Sequence, residues 1–247
     1  MSTLLVDIGN SRIKWALARG GRVIGAARAV AHEQLDLLFT EWARLPHRPT
    51  EVRLVNVQPG AVGAQLSDWL QANWQRAPDI VATPAVGGGI TVAYPQFAQL
   101  GTDRWLAMVG ARAAGYLPAC IVDCGSAITV DVVNGDGTHQ GGMILAGLAA
   151  QQAGLSAVAP ALPAVELAPG APFLTNNTPD ALASGHLHGT ALGLQAVLRR
   201  CFAESTESLT PVFTGGDAPL IARYLELDVR LRPDLVLEGL AALGAPG

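Results

Sequence analysis

Over residues 3–28 apolar positions come in short runs, TLLVDIG, IKWALA and RVIGAA, separated by Asn10-Ser11 and by Gly20-Gly21. Runs of this length bounded by turn residues predict a meander of hairpin strands. From His32 to Leu45 the period changes. Leu35, Leu37, Leu38, Phe39, Trp42 and Leu45 fall mostly at helical spacing and predict a helix. VRLVNV after Pro49 reads as a buried strand, 61–75 as a second helix, and 79–92 as strand, Gly-rich turn and strand. Another helix is predicted near Asp103, with Trp105, Leu106, Met108 and Val109 on its faces.

The opening pattern then recurs. CIVDCGSAITVDVV (120–133) lines up with LLVDIGNSRIKWAL (4–17): an apolar strand, Asp-x-Gly, a small polar residue, and a second strand. Both copies are followed by a further strand and then helical segments, so two homologous halves are expected. The boundary is placed near Pro118, giving domains 1–117 and 118–247. The second half continues with a strand from Gly137, a helix after Gly147, a long helix over about 179–203 opened by Pro179 and Asp180, the strand VFTGG, and closing helices from Pro219 and Pro233.

Composition narrows the function. With 16 Lys+Arg against 20 Asp+Glu and no run of like charge, no electrostatic footprint for nucleic acid or an anionic membrane is present, and a small-molecule partner is expected. The mean hydropathy of +0.31 raises the question of a membrane span. The longest charge-poor stretches are broken by Pro84, Gly87-Gly88-Gly89, Pro95, Pro160 and Pro163, so no span is expected. The run into LLVDIG has neither a basic region nor a cleavage site, so no signal peptide is expected. Three cysteines, Cys120, Cys124 and Cys201, lack CxxC spacing and read as reduced core thiols of a cytoplasmic protein. The histidines show no HExxH spacing, and Walker A, GxGxxG after a strand, and GxSxG are absent from the sequence.

The polar residues at the strand turns carry the candidate chemistry. Asp7, Gly9, Asn10, Ser11 and Lys14 suit a nucleotide triphosphate tail: Gly9 lets backbone N–H groups approach an anion, Lys14 supplies charge, and Asp7 is placed to hold a hydrated divalent cation. An ordinary hairpin turn is the alternative. Asp123, Gly125, Ser126, Thr129 and Asp131 repeat the chemistry, and an acid in the apolar strand IVDC needs a cation or strong donors. Gly101-Thr102-Asp103-Arg104 after Tyr94-Pro95 reads either as an Asp helix cap or as a substrate segment with a planar donor fork. TGGDA (214–218) would admit a flat adenine or be a plain strand-to-helix turn. The glycines of 141–147 would free backbone donors or merely allow close strand packing.

Taken together, DIGNSRIKW, YPQFAQLGTDRW, VDCGSAITVD, GGMILAGL, NNTPDALASG and TGGDA resemble the type III pantothenate kinase family, which includes the Bvg accessory factor proteins, over nearly the whole chain. The resemblance implies an α/β fold: two duplicated ribonuclease H-like domains of the acetate and sugar kinase, heat-shock protein and actin superfamily, with ATP in an interdomain cleft. It implies phosphorylation of pantothenate to 4′-phosphopantothenate by ATP, with Mg2+, a monovalent cation (K+ or NH4+), and a homodimer. By the same resemblance Asp7, Ile8, Gly9, Asn10, Ser11, Arg12, Ile13 and Lys14 form the first phosphate loop, with Asp7 near the divalent metal, and Ser126 belongs to the second. Asp103 takes the proton of the primary hydroxyl. Tyr94, Gly101, Thr102, Asp103, Arg104 and Thr178 contact pantothenate, and Asp123 holds the monovalent cation. Ser126 stands where the family commonly has Thr, and Ala146 where it usually has Pro. An ATP-binding accessory protein on the same fold, or a kinase of another small hydroxylated substrate or of acetate, are the alternatives.

Overall fold

A computed structural model describes residues 2–58 and 60–244. The opening meander is β1 (Thr3–Ile8), β2 (Arg12–Arg19) and β3 (Arg22–Ala31), followed by α1 (Leu35–Ala43), β4 (Glu51–Asn56), α2 (Val62–Trp74) and β5 (Asp79–Ile80). β1 is buried continuously from Leu4 to Ile8, as expected of a central strand covered on both faces. Leu4, Val6 and Ile8 alternate onto one face and pack with Trp15 against Leu38 and Trp42 of α1 and Leu66, Leu70 and Trp74 of α2. The first helix starts at Leu35, with its first apolar position, rather than at His32, because His32–Gln34 forms a single 3₁₀ turn. β6 (Val86–Gly87) and β7 (Ile90–Thr91) make a separate small hairpin outside the main sheet, and α3 (Thr102–Ala113) follows.

The second half comprises β8 (Ala119–Cys124), β9 (Ala127–Val133), β10 (His139–Ala146), α4 (Leu148–Val158), α5 (Thr178–Glu204), β11 (Thr210–Thr214), α6 (Ala218–Ile221), β12 (Arg230–Leu231) and α7 (Leu235–Ala242). Its sheet, ordered β10-β9-β8-β11-β12, repeats the first, β3-β2-β1-β4-β5, strand for strand. In each the central strand pairs antiparallel with the next strand in sequence and parallel with the fourth. This is the duplication expected from the echo of the two Asp-x-Gly strands, in the ribonuclease H-like arrangement that the family resemblance implies. Cys120, Val122 and Cys124 face α5, which buries Leu187, Ala191, Leu194 and Leu198 at helical spacing. Asn177 caps α5, accepting the Asp180 N–H at 3.0 Å.

The chain forms two compact units, one of residues 1–115 with 234–247 and the other of 116–233. The last helix thus departs from the division at 117/118, which assigned everything to 247 to the second half. α7 lies on the first sheet, against β1, β2 and β3, and beside α3. Two glycines permit that approach: a Cβ at Gly239 would strike the Leu106 carbonyl, and one at Gly110 the Leu235 carbonyl. The helix expected from Pro219 is one turn of α6, and β12 separates it from α7. Among the described residues no helix is long and apolar enough to cross a membrane.

Candidate active site

In the first unit the turn between β1 and β2 spans residues 9–12 and is closed by the Gly9 N–H donating to the Arg12 carbonyl at 3.1 Å. Asp7 and Lys14 stand directly opposite one another in the ladder, as do Ile8 and Ile13. Antiparallel partners have Cβ atoms about 4.5–5.5 Å apart, so a carboxylate and an ammonium share the mouth of this turn. Asp7 is buried, whereas Asn10, Ser11 and Arg12 at the tip are exposed.

The second cluster of the first unit sits at the start of α3. Gly101 occupies the cap position, and no side chain there bonds the helix. Asp103 is therefore not the cap; its Oδ1 accepts the N–H of Arg104 at 2.8 Å in the first turn. A Cβ at position 101 would lie 2.5 Å from Asp103 Oδ1, so a larger residue there would displace that carboxylate. Arg104 is buried, its Nη1 donates to the Tyr94 hydroxyl at 3.1 Å, and its guanidinium lies 5.8 Å from the Tyr94 ring centroid. The structure thus joins Tyr94 to Arg104 of the Gly101–Arg104 segment. Burial of an Arg needs such partners, and the ring and hydroxyl fix the plane of its fork.

In the second unit three glycine-bearing segments meet around the turn that follows Asp123. The Gly125 N–H donates to the Ala127 carbonyl at 3.1 Å, the Gly147 N–H to Ser126 at 3.2 Å and the Asp217 N–H to Cys124 at 3.0 Å. Gly215 has φ +90°, and a Cβ there would strike the Asp123 carboxylate and the Cys124 backbone. A Cβ at Gly147 would meet the Gly125 and Ser126 carbonyls. Three motifs that are separate in sequence, at 123–131, 141–147 and 214–218, are brought together around one turn. Gly147, Gly215 and Asp217 pack beside Ser126; the strings GGMILAGL and TGGDA named them in sequence without showing that they meet.

Two side chains stand apart from that turn. Asp131, grouped with Asp123 by spacing, is buried 3.0 Å from His139 Nε2 in the β9–β10 ladder and so has a structural partner. Thr178 is exposed in the first turn of α5 in the second unit, while Gly101–Arg104 belongs to the first. All three cysteines are free, with Cys120 and Cys124 buried.

The sequence profile of the type III pantothenate kinase family matches residues 3–200. The chain belongs to this family. The type III pantothenate kinase of Nitrosococcus oceani is 38% identical over 96% of this chain and 92% of its own length. That of Leptothrix cholodnii is 36% identical over 99% and 97%. In fold, the chain is similar to the activator of the 2-hydroxyisocaproyl-CoA dehydratase from Clostridium difficile, solved with bound ADPNP, with a TM-score of 0.55, 14% identity and coverage of 99% and 94%. As a type III pantothenate kinase it is an ATP-using phosphotransferase with an alcohol acceptor, acting on pantothenate in coenzyme A biosynthesis.

Proposed function

We propose that Asp103 is the base of this kinase, taking the proton of pantothenate's primary hydroxyl as that oxygen attacks the γ-phosphate of ATP. The observation that carries the reading is the start of α3: a carboxylate oriented by the Arg104 N–H, laid against a glycine, beside a guanidinium locked by Tyr94. Phosphoryl transfer asks for positioning and charge stabilisation with little covalent help, and this cluster supplies both. Tyr94, Gly101, Thr102 and Arg104 bind pantothenate, the guanidinium meeting its carboxylate or amide oxygens. Thr178 adds a further contact.

The turn from Asp7 through Lys14, and Ser126 in the second unit, hold the ATP phosphates. Asp7 and Asp123 present hard oxygen donors, which fits magnesium and a monovalent cation respectively; for Asp123 the fit is helped by the register-neighbouring hydroxyls of Thr129 and Thr214 and by the absent Cβ of Gly215. When bound, such ions neutralise phosphate charge. The chain's own residues position the two reactants and remove the proton. Functionally, residues 1–117 carry the first phosphate loop and the pantothenate segment, and 118–247 the second loop and the adenosine segment, apart from α7. A homodimer in the cytoplasm completes the reading, and the exposed Met143, Ile144 and Leu145 give the edge strand β10 apolar surface for a second copy.

The test is Asp103→Asn, which keeps shape and removes the base. Turnover of pantothenate should fall roughly 10²–10⁴-fold while ATP still binds by calorimetry. Wild-type turnover in this variant would overturn the assignment.

A further inference from the structure

We propose that Thr83 is a positioning residue of the reaction, a hydroxyl latch that sets the Gly101–Arg104 segment; the proposal rests on the reading of that segment as the pantothenate site. Thr83 lies in the connection between β5 and β6, far from α3 in sequence, and is 7% exposed. Its Oγ1 is 3.0 Å from the Leu100 carbonyl and 3.1 Å from Thr102 Oγ1, so it grips the chain on both sides of Gly101. A hydroxyl has one proton, and a carbonyl can only accept. Thr83 therefore donates to Leu100 and accepts from the Thr102 hydroxyl, which leaves Thr102 Oγ1 able to offer a ligand only its lone pairs.

The need for the latch follows from the helix start. Cap position 101 is a glycine with no side-chain bond to the helix, so α3 lacks the usual device that fixes its first turn. Leu100 is 1% exposed, and its buried carbonyl requires a partner. Thr83 supplies that partner, and the Trp105 indole N–H, donating to the Gly87 carbonyl at 3.3 Å, ties α3 to the segment downstream of Thr83. Asp103 and Arg104 follow Thr102 directly, so their aim depends on these anchors. A misplacement of about 1 Å away from the reacting atoms is enough to slow an enzyme roughly 100-fold.

The experiment compares Thr83→Val, which keeps the shape and removes the hydroxyl, with Thr83→Ser, which keeps the hydroxyl. Thr83→Val should lower kcat/KM for pantothenate at least about tenfold, leave the KM for ATP within about twofold, and speed amide exchange at 101–106; Thr83→Ser should restore all three. Unchanged pantothenate kinetics in Thr83→Val would overturn the latch. So would a serine variant as impaired as the valine one, or an equal loss for both substrates. If the wild type fails to phosphorylate pantothenate, the substrate reading fails instead. Amide exchange then decides the latch alone: faster exchange at 101–106 in Thr83→Val and not in Thr83→Ser supports it, and equal rates refute it.

Discussion

The turn after Asp7 and the turn after Asp123 begin from the same sequence idea and end in different surroundings. Both follow the central strand of a sheet with the same strand order, and both acids sit one residue before the strand ends. Across the ladder, however, Asp7 faces Lys14 and Asp123 faces Thr129. The first turn has an exposed tip of Asn10, Ser11 and Arg12. The second is walled by the backbones of Gly147, Gly215 and Asp217. Duplication preserved the frame, while the cross-strand partner and the neighbouring backbones set the chemistry: a paired ammonium in one half, hydroxyls and close-packed glycines in the other.

The largest expected break in this comparison is at the glycines. Gly215→Ala, forced into φ +90° against Asp123 and the Cys124 backbone, should lose roughly 2–5 kcal/mol in urea denaturation. Gly9→Ala meets only the Arg12 carbonyl, at 3.4 Å, and should lose less than about 1 kcal/mol. Equal losses would mean that the two turns are not differently enclosed.

The next effect is on nucleotide use. Lys14→Ala removes the only side-chain cation directly opposite either acid and should lower kcat/KM for ATP roughly 10- to 100-fold, the size of a charge-assisted bond. Ser126→Ala removes one neutral hydroxyl and should lower it no more than about tenfold. A reversed order in steady-state rates would assign the stronger phosphate grip to the second half.

The smallest effect concerns thiols, which lie only in the second unit, as the tryptophans lie only in the first. A hydrogen bond from Cys120 holds the Cys201 thiol below its ordinary value, at about 7, while that hydrogen bond and burial push Cys120 upward. The thiolate fraction of Cys201 therefore rises as pH passes through about 7. Iodoacetamide near neutral pH should label Cys201 first, with little change in tryptophan emission. First labelling at Cys124, whose thiol burial also raises, would contradict this.

The repeat of Asp-x-Gly strands made the duplicated sheets legible in the sequence, because a central strand must be apolar on both faces and its turn must be polar. What was not legible depended on partners distant along the chain. α7 buries Leu235, Val236, Leu237, Leu240 and Ala241 almost all round, and such a pattern says that the helix is covered without saying by which sheet. Asp131 shares the alternation of Asp123 and Thr129, yet His139 from the next strand claims it. Thr83 lies in a connection with no motif, and only the fold brings it to Leu100 and Thr102. Gly101–Arg104 was recognisable as a string, whereas that Asp103 is not the helix cap needed the observation that Gly101 holds the cap position.

The most direct test is the rate of phosphoryl transfer from ATP to pantothenate by the purified protein with magnesium, in matched potassium and sodium buffers, for the wild type and for Asp123→Ala. Turnover by the wild type that rises with potassium, and loses that dependence in Asp123→Ala, is the predicted result. No turnover in either buffer, with ATP still bound by calorimetry, would contradict the account and leave an ATP-binding accessory protein with Asp103 serving only the first turn of its helix.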